Sequence, residues 1–308
     1  MSDRKTNKEI NEYGIKELIF LLWQSKIFII AMTLVFAVAS VVYSIGLPNK
    51  YLSEGVFSYG KSTDGDMSSS LSQLGGLASL AGISLGKNGG ANEQQVDMAL
   101  LKSRHFISFF IEKNDILIPL FAGEEWDPNT NKLLLNPEIY DAEKQEWVRP
   151  MKFPFESKPS AQEAFLAFQQ LLVVAEDKKT GLITVSLEFL SPALSYQWLN
   201  LFISQFNEFV RSRELKESAS KIAYLEQQAK EASNANMQTV FFSLMEQEQR
   251  KMMLANVSQE YVLKMVDPAI ESQVKSSPKR ALICVGGTIF GMFISIIFVL
   301  IRQFLKSE

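Results

Sequence analysis

Gly55-Val-Phe-Ser-Tyr-Gly60-Lys61-Ser62 has the letters and spacing of a phosphate-binding loop. In such a loop glycines let backbone N–H groups wrap phosphate oxygens while a lysine reaches the terminal phosphates. That chemistry needs flexible residues between the glycines and a helix opening at the lysine. Here Val56, Phe57 and Tyr59 favour an extended strand, and no helix signal follows Ser62. A strand ending in a glycine turn is expected, with a membrane-tethered nucleotide-binding protein using residues 55–62 as the minor alternative. Gly82-Ile-Ser84-Leu-Gly86 spells the turn that displays a nucleophilic serine in α/β-hydrolases. The partner acid and histidine must lie well downstream, yet the single histidine, His105, follows by only about twenty residues on an expected helix. The adjacent carboxylates Glu124 and Glu125 fall on an expected loop and read as solvated rather than as a glycosidase pair. One histidine and one cysteine, Cys284, leave no ligand set for zinc. No catalytic, cofactor or metal site is therefore expected, and the chain reads as a non-enzyme.

The elements around these residues say more than the residues do. Ile27 to Leu47 and Ala281 to Ile301 are apolar and uncharged, each about 21 residues, long enough as helices to cross a ~30 Å hydrocarbon core. Two crossings put both termini on one side. Arg4, Lys5, Lys8, Lys16 and Lys26 precede the first stretch, and Arg302 and Lys306 follow the second, so the tails are expected in the cytoplasm. Lys275, Lys279 and Arg280 stand on the opposite side. Trp23 and Tyr43 suit interfacial anchors. A cleaved leader with Ala37-Val38-Ala39 as its small-residue site is the competing reading, and it also leaves the middle domain outside. A net charge of -3 with no basic stripe argues against nucleic acid. Cys284 lies within the second stretch, so the middle domain has no thiol for a disulfide and must rely on packing or assembly.

Within the middle domain, Tyr51 to Tyr59 reads as a strand. Ser68 to Gly90 is too rich in glycine for a long element, yet too apolar for a solvated linker; a loop with a short amphipathic helix is expected. A helix is expected over 94–111 with Val96, Leu100, Ile107, Phe110 and Ile111 on its core side. Six prolines between Pro119 and Pro159 predict loops and short strands. Ala161 to Leu172 reads as a helix, and 172–175 with 182–189 as a hairpin turning at Gly181. Ser191-Pro192 opens the most strongly patterned helix, as cap and first-turn proline. Its aromatic first half belongs to a core. Its second half, running to Ser233, carries small apolar residues among many charges and suits a narrow seam with a return helix after residues 234–236. Tyr261 to Val266 reads as a strand returning to the sheet.

A membrane helix near each end, Tyr51-Leu-Ser-Glu54 after the first, the long helical hairpin, Asp267-Pro268-Ala269, Ser277-Pro278-Lys279, and Gly286, Gly287 and Gly291 in the second span together carry a resemblance. The chain resembles the Wzz-type polysaccharide co-polymerases, the O-antigen chain-length determinants. Residues 268–278 lack the additional prolines usual there, and unlike the tyrosine-kinase branch no kinase region is expected after the second span. The resemblance implies an α+β membrane protein: two transmembrane helices flanking a periplasmic α/β base domain with a long protruding helical hairpin. The expected segments are a cytoplasmic tail (1–26), helix 1 (27–47), the first part of the base (48–190), the hairpin (191–260), a return strand and linker (261–280), helix 2 (281–301) and a cytoplasmic tail (302–308). It further implies a ring-shaped homo-oligomer in the bacterial inner membrane, partnered by a polysaccharide polymerase and the growing lipid-linked polysaccharide. The expected role is non-enzymatic control of the chain length of lipopolysaccharide O-antigen. The alternative is a component of capsule or exopolysaccharide polymerisation and export. Pro268, Ser277, Pro278, Lys279, Gly286, Gly287 and Gly291 are the motif residues. Gly287 and Gly291 form a small-xxx-small pair, with Gly286 beside them, and a helix contact is expected there because glycine at this spacing lets backbones approach closely in lipid.

Overall fold

A computed structural model of the protein describes residues 23, 25–61, 89–232 and 234–306. Ser62, nearly all of the Ser/Gly-rich stretch with its serine turn at 82–86, Ser233 and the basic residues before Trp23 lie outside the described residues. In chain order the first elements are α1 (Lys26–Ile45), β1 (Tyr51–Tyr59), α2 (Gly89–Leu101), α3 (Arg104–Lys113) and α4 (Leu117–Ala122). Then come β2 (Gly123–Asp127), β3 (Lys132–Leu135), β4 (Tyr140–Asp141), β5 (Glu146–Trp147), α5 (Ala161–Leu171), β6 (Leu172–Glu176) and β7 (Ile183–Phe189). The remaining elements are α6 (Pro192–Glu231), α7 (Ala235–Val257), β8 (Leu263–Asp267) and α8 (Arg280–Lys306). Two compact units result: a body, Lys50–Ser276, and the two end segments, Met1–Asn49 with Ser277–Glu308.

The body is organised by an antiparallel sheet in the order β6-β7-β1-β8. β1 pairs with β7 from Tyr51 opposite Phe189 to Phe57 opposite Ile183. Its period of two buries Ser53, Gly55 and Phe57 on one face. The β6–β7 turn closes where the Asp177 carboxylate accepts from the Lys179 N–H at 2.9 Å and Gly181 takes φ +71°, which L side chains rarely adopt. Ser191 caps α6, its hydroxyl accepting from the Leu194 N–H at 3.3 Å. The first half of α6 buries Trp198, Leu199, Phe202, Ile203, Phe206 and Val210. Helix α3 lays Phe106 against Phe202 and Phe206 at 5.0 and 5.1 Å between ring centroids, and Phe110 against Phe202 and Phe168 at 5.1 and 5.4 Å. These tilted and edge-on pairs follow the ring quadrupole and knit α3, α5 and α6 into one core.

Three expectations need correction. The single helix over 94–111 is two, broken at Lys102–Ser103, because the Ser103 hydroxyl caps α3 by accepting from the Phe106 N–H at 3.2 Å. Val96 is exposed, and its neighbour Asp97 takes the buried position. Glu124 and Glu125 sit on strand β2 rather than on a loop, though both side chains are solvated as expected.

Past the aromatic core α6 continues to Glu231, 40 residues in all and about 60 Å long. Helix α7 returns along it, with Ala229, Met245 and Ala255 buried in a narrow seam and the Ser218 hydroxyl donating to Glu248 at 2.8 Å. Tyr224, Phe242, Leu254 and Val257 stay exposed. The return is fastened by Asn207. Its side-chain oxygen accepts from the N–H groups of Val262 and Leu263, each at 2.8 Å, and its amide donates to the Leu263 carbonyl at 2.9 Å. In the other unit α1 and α8 lie against each other, with Phe28 stacked on Phe298 at 5.5 Å and Phe36 edge-on to Phe290 at 6.5 Å. Both are candidate membrane spans by length and hydropathy, and their most apolar windows are only 6% and 17% buried. The core helix of a water-soluble protein hides its apolar surface; these two leave theirs open, as lipid allows.

Candidate functional site

Close approach of α1 and α8 depends on two glycines. A Cβ on Gly287 would fall 2.5 Å from the Ser40 Cβ, and one on Gly291 would overlap the Phe36 Cβ. Real Cβ atoms do not meet so closely, so only glycine lets these backbones touch. Gly286 has open space on its Cβ side and takes no part. Ser295, one turn beyond Gly291, is buried and returns its hydroxyl to the Gly291 carbonyl at 2.6 Å, so no polar atom faces outward there. Lys279 opens α8, its carbonyl accepting from Leu282 and Ile283, while the Pro278 carbonyl accepts from Arg280. Pro268 directly follows β8 in the body, in a different unit from Ser277, Pro278 and Lys279. The structure thus gathers Gly287 and Gly291 with Ser40 and Phe36, and does not gather the other motif residues with them. Spacing alone picked out the glycines; nothing in the sequence picked out Ser40 and Phe36 as their partners.

At the opposite end of β1 the lysine of the phosphate-loop pattern has a different occupation. Lys61 is turned inward, its side chain 5% exposed, with its ammonium 3.1 Å from Glu93, 3.2 Å from Asp97 and 3.2 Å from Glu214. It also lies 5.1 Å above the Tyr261 ring. The Tyr59 hydroxyl donates to the same Asp97 oxygen at 2.9 Å, and the Arg213 guanidinium stands 3.8 Å from the other. Burial alone would lower the Lys61 pKa, but Asp97, Glu214 and Glu93 outweigh it and hold it above the usual lysine value. Burial, then the charge of Asp97, drives Tyr59 strongly upward. Burial, with Glu214 next, pushes Tyr261 up to about 12. Three carboxylates around the ammonium occupy it and would repel a nucleotide's phosphates. Both glycines of the pattern have packing roles. A Cβ on Gly55 would lie 2.9 Å from the Phe57 ring, and one on Gly60 3.0 Å from the Tyr261 carbonyl. The cluster ties β1, α2, α6 and the start of the return strand into one point where the hairpin leaves the body.

The other residues considered for chemistry are accounted for as structure. His105 packs its ring against Phe209 at 5.5 Å. Cys284 is a free thiol on α8. Among the described residues, no three His, Cys, Asp or Glu side chains are grouped as a metal site.

Comparison with known proteins bears on the whole arrangement. The family of chain length determinant proteins (Wzz) matches residues 11–113, the first candidate span and the strand and helices beyond it. A second family, the G-rich domain on putative tyrosine kinase (GNVR), matches residues 229–304, which include α7, β8 and most of α8. The resemblance to the Wzz-type family is thereby shown. Among curated proteins none matches the chain. Among solved structures, a full-length bacterial polysaccharide co-polymerase matches over 96% of this chain and 99% of that one, at 12% identity and a TM-score of 0.38. That score is too low for the two folds to be equated. The Wzz match spans the Lys61 cluster as far as Asp97, whereas the GNVR match holds the glycines that bring α8 against α1.

Proposed function

We propose that the protein regulates the chain length of a bacterial surface polysaccharide, lipopolysaccharide O-antigen, without catalysing glycosyl transfer. The match of residues 11–113 to chain length determinant proteins carries this reading. In it, several copies form a ring in the inner membrane, α1 and α8 span the bilayer, both termini face the cytoplasm and the body faces the periplasm. The polymerase is engaged through the paired helices, and the outer surface of the ring, which meets the growing lipid-linked polysaccharide, biases when extension stops. Two observations support the scaffold role. The α1–α8 contact at Gly287 and Gly291 brings the two candidate spans together as a close pair. The hairpin leaves Phe242, Leu254 and Val257 uncovered, and neighbouring copies would bury them.

The test is deletion of the gene with complementation, reading O-antigen length on silver-stained gels. The expected result is loss of the modal length with polymer still made. An unchanged length distribution would count decisively against it. The match of residues 229–304 to a domain found on putative tyrosine kinases favours a second reading, a component of capsule or exopolysaccharide polymerisation and export. Disappearance of secreted polymer, rather than a change in its length, would identify that role.

A further inference from the structure

The serines and threonines of α1 and α8 return their hydroxyls to their own helices, with one exception. Thr33 donates to the Ile29 carbonyl at 2.7 Å, Ser40 to that of Ala37 at 2.8 Å and Thr288 to that of Cys284 at 2.7 Å, as Ser295 does to Gly291. Ser44 is only 1% exposed, yet its Oγ has no partner. Leaving a buried hydroxyl unpaired costs free energy, so such a group marks a place for a ligand or a water. A second orphan stands at the same end of the helix pair. The Arg280 Nε is buried without a partner, while its Nη2 donates to the Asn49 Oδ1 at 3.1 Å and so holds the guanidinium in place.

Helix register brings the two orphans together. Phe36 and Ser40 are the α1 residues that meet Gly291 and Gly287. Ser44 follows at the same four-residue interval, so it continues that face. The helices run antiparallel, with Phe28 against Phe298 at the far end, and Ser44 therefore comes opposite the first turn of α8, which Arg280 opens. The chemistry of this end is one-sided. Residues 40–49 and 277–284 contain no Asp or Glu. Lys279 is exposed beside Arg280, and neither takes part in an ion pair among the described residues. Both stand where the apolar run of α8 begins, which in a bilayer is the level of the headgroups. Basic residues on the side away from the tails run against the usual bias of spanning proteins, and a bound anion accounts for them.

We propose that Arg280, Ser44 and Lys279 form a site for the phosphate group of a membrane lipid. The phosphate oxygens accept from the Arg280 Nε–H and the Ser44 hydroxyl between the helices, and the Lys279 ammonium meets them at the rim. A guanidinium fork suits phosphate better than any other anion at this level of a bilayer. The inference rests on the reading of α1 and α8 as spans, and its test separates the two. The full chain in detergent would be titrated with phosphatidic acid, with diacylglycerol of the same acyl chains and with inorganic phosphate, and bound molecules counted by native mass spectrometry. The expected result is several-fold tighter binding of phosphatidic acid than of diacylglycerol. Arg280→Gln should remove most of that preference and Ser44→Ala part of it, whereas Arg302→Gln at the other end of α8 should keep it. Arg280→Lys, which retains the charge without the Nε–H, should be intermediate and covers the case in which Arg280→Gln fails to fold. An unchanged preference in Arg280→Lys and Ser44→Ala overturns the proposal, since water would then satisfy both orphans. An equal loss in Arg302→Gln overturns it in favour of unspecific charge. Displacement of phosphatidic acid by millimolar inorganic phosphate would make the ligand a free anion and overturn the lipid source. A chain that alkaline carbonate strips from membranes fails as a spanning protein, a separate failure that takes the site with it.

Discussion

Lys61 decides what residues 55–62 are for. Its ammonium is the only positive charge within 3.5 Å of Glu93, Asp97 and Glu214 among the ion pairs of the described residues, and Asp97 is nearly inaccessible. In a Lys61→Met variant the carboxylates would face one another without it. Breaking a buried pair by removing one partner costs roughly 3–5 kcal/mol, and the exposure of Glu93 puts the expected loss near the lower end, about 3 kcal/mol in denaturant melts. Unaltered stability would show that solvent already screens the cluster. The tyrosines beside it set the alkaline limit. Tyr59 and Tyr261 both ionise higher in the folded state than the free value near 10. Their contribution is complete below pH ~10 and is lost as pH rises through the folded values, because the unfolded chain ionises first. Melting midpoints should therefore fall between about pH 10 and pH 12, and Tyr261→Phe should shallow that fall. An equal slope in both proteins would mean Tyr261 does not report on the cluster. The sequence could not foretell this network. Lys61, Asp97, Glu214 and Tyr261 are scattered along the chain, and helical periodicity selected Val96 where the pairing with Lys61 selects Asp97.

At the scale of elements, local chemistry was readable where one residue type does one job. The alternation of β1, the Ser191-Pro192 start of α6 and the glycine turn at Gly181 all stand where their residues imply. Reading failed where a cap competes with an apolar period. Ser103 breaks a run that hydrophobic spacing alone would continue, and the stretch whose prolines implied only loops and short strands opens with a short helix, α4, as well as holding the expected short strands. The second span shows the same division. Spacing nominated Gly287 and Gly291 with Gly286 beside them, and only the partner helix shows which of the three touch it. Gly287→Ala and Gly291→Ala should each loosen the α1–α8 pair by roughly 1–3 kcal/mol, the usual cost of overpacking. Gly286→Ala should leave it intact, since its Cβ side is open. Thermal melts of the full chain in detergent check this, and equal effects at all three positions would exclude a specific helix contact.

For the whole molecule, the contrast between an aromatic core in the body and a thin seam in the hairpin matters most. Helix α7 buries only Met245 and Ala255, while Leu254 and Val257 lie open. A two-helix excursion with so little buried surface is marginal alone. In the proposed ring these side chains lie between copies, so Leu254→Glu with Val257→Glu should reduce the assembly mass measured by light scattering in detergent and leave the melting of the body unchanged. An unchanged mass would place the contact elsewhere. Asn207 adds a consequence of its own. One carboxamide fastens the outgoing helix to Val262 and Leu263, and just beyond it Glu214 and Tyr261 meet Lys61, so the hairpin departs and rejoins at one narrow footing. Matched whole turns added to or removed from both helices beyond Glu214 would leave every contact of that footing in place.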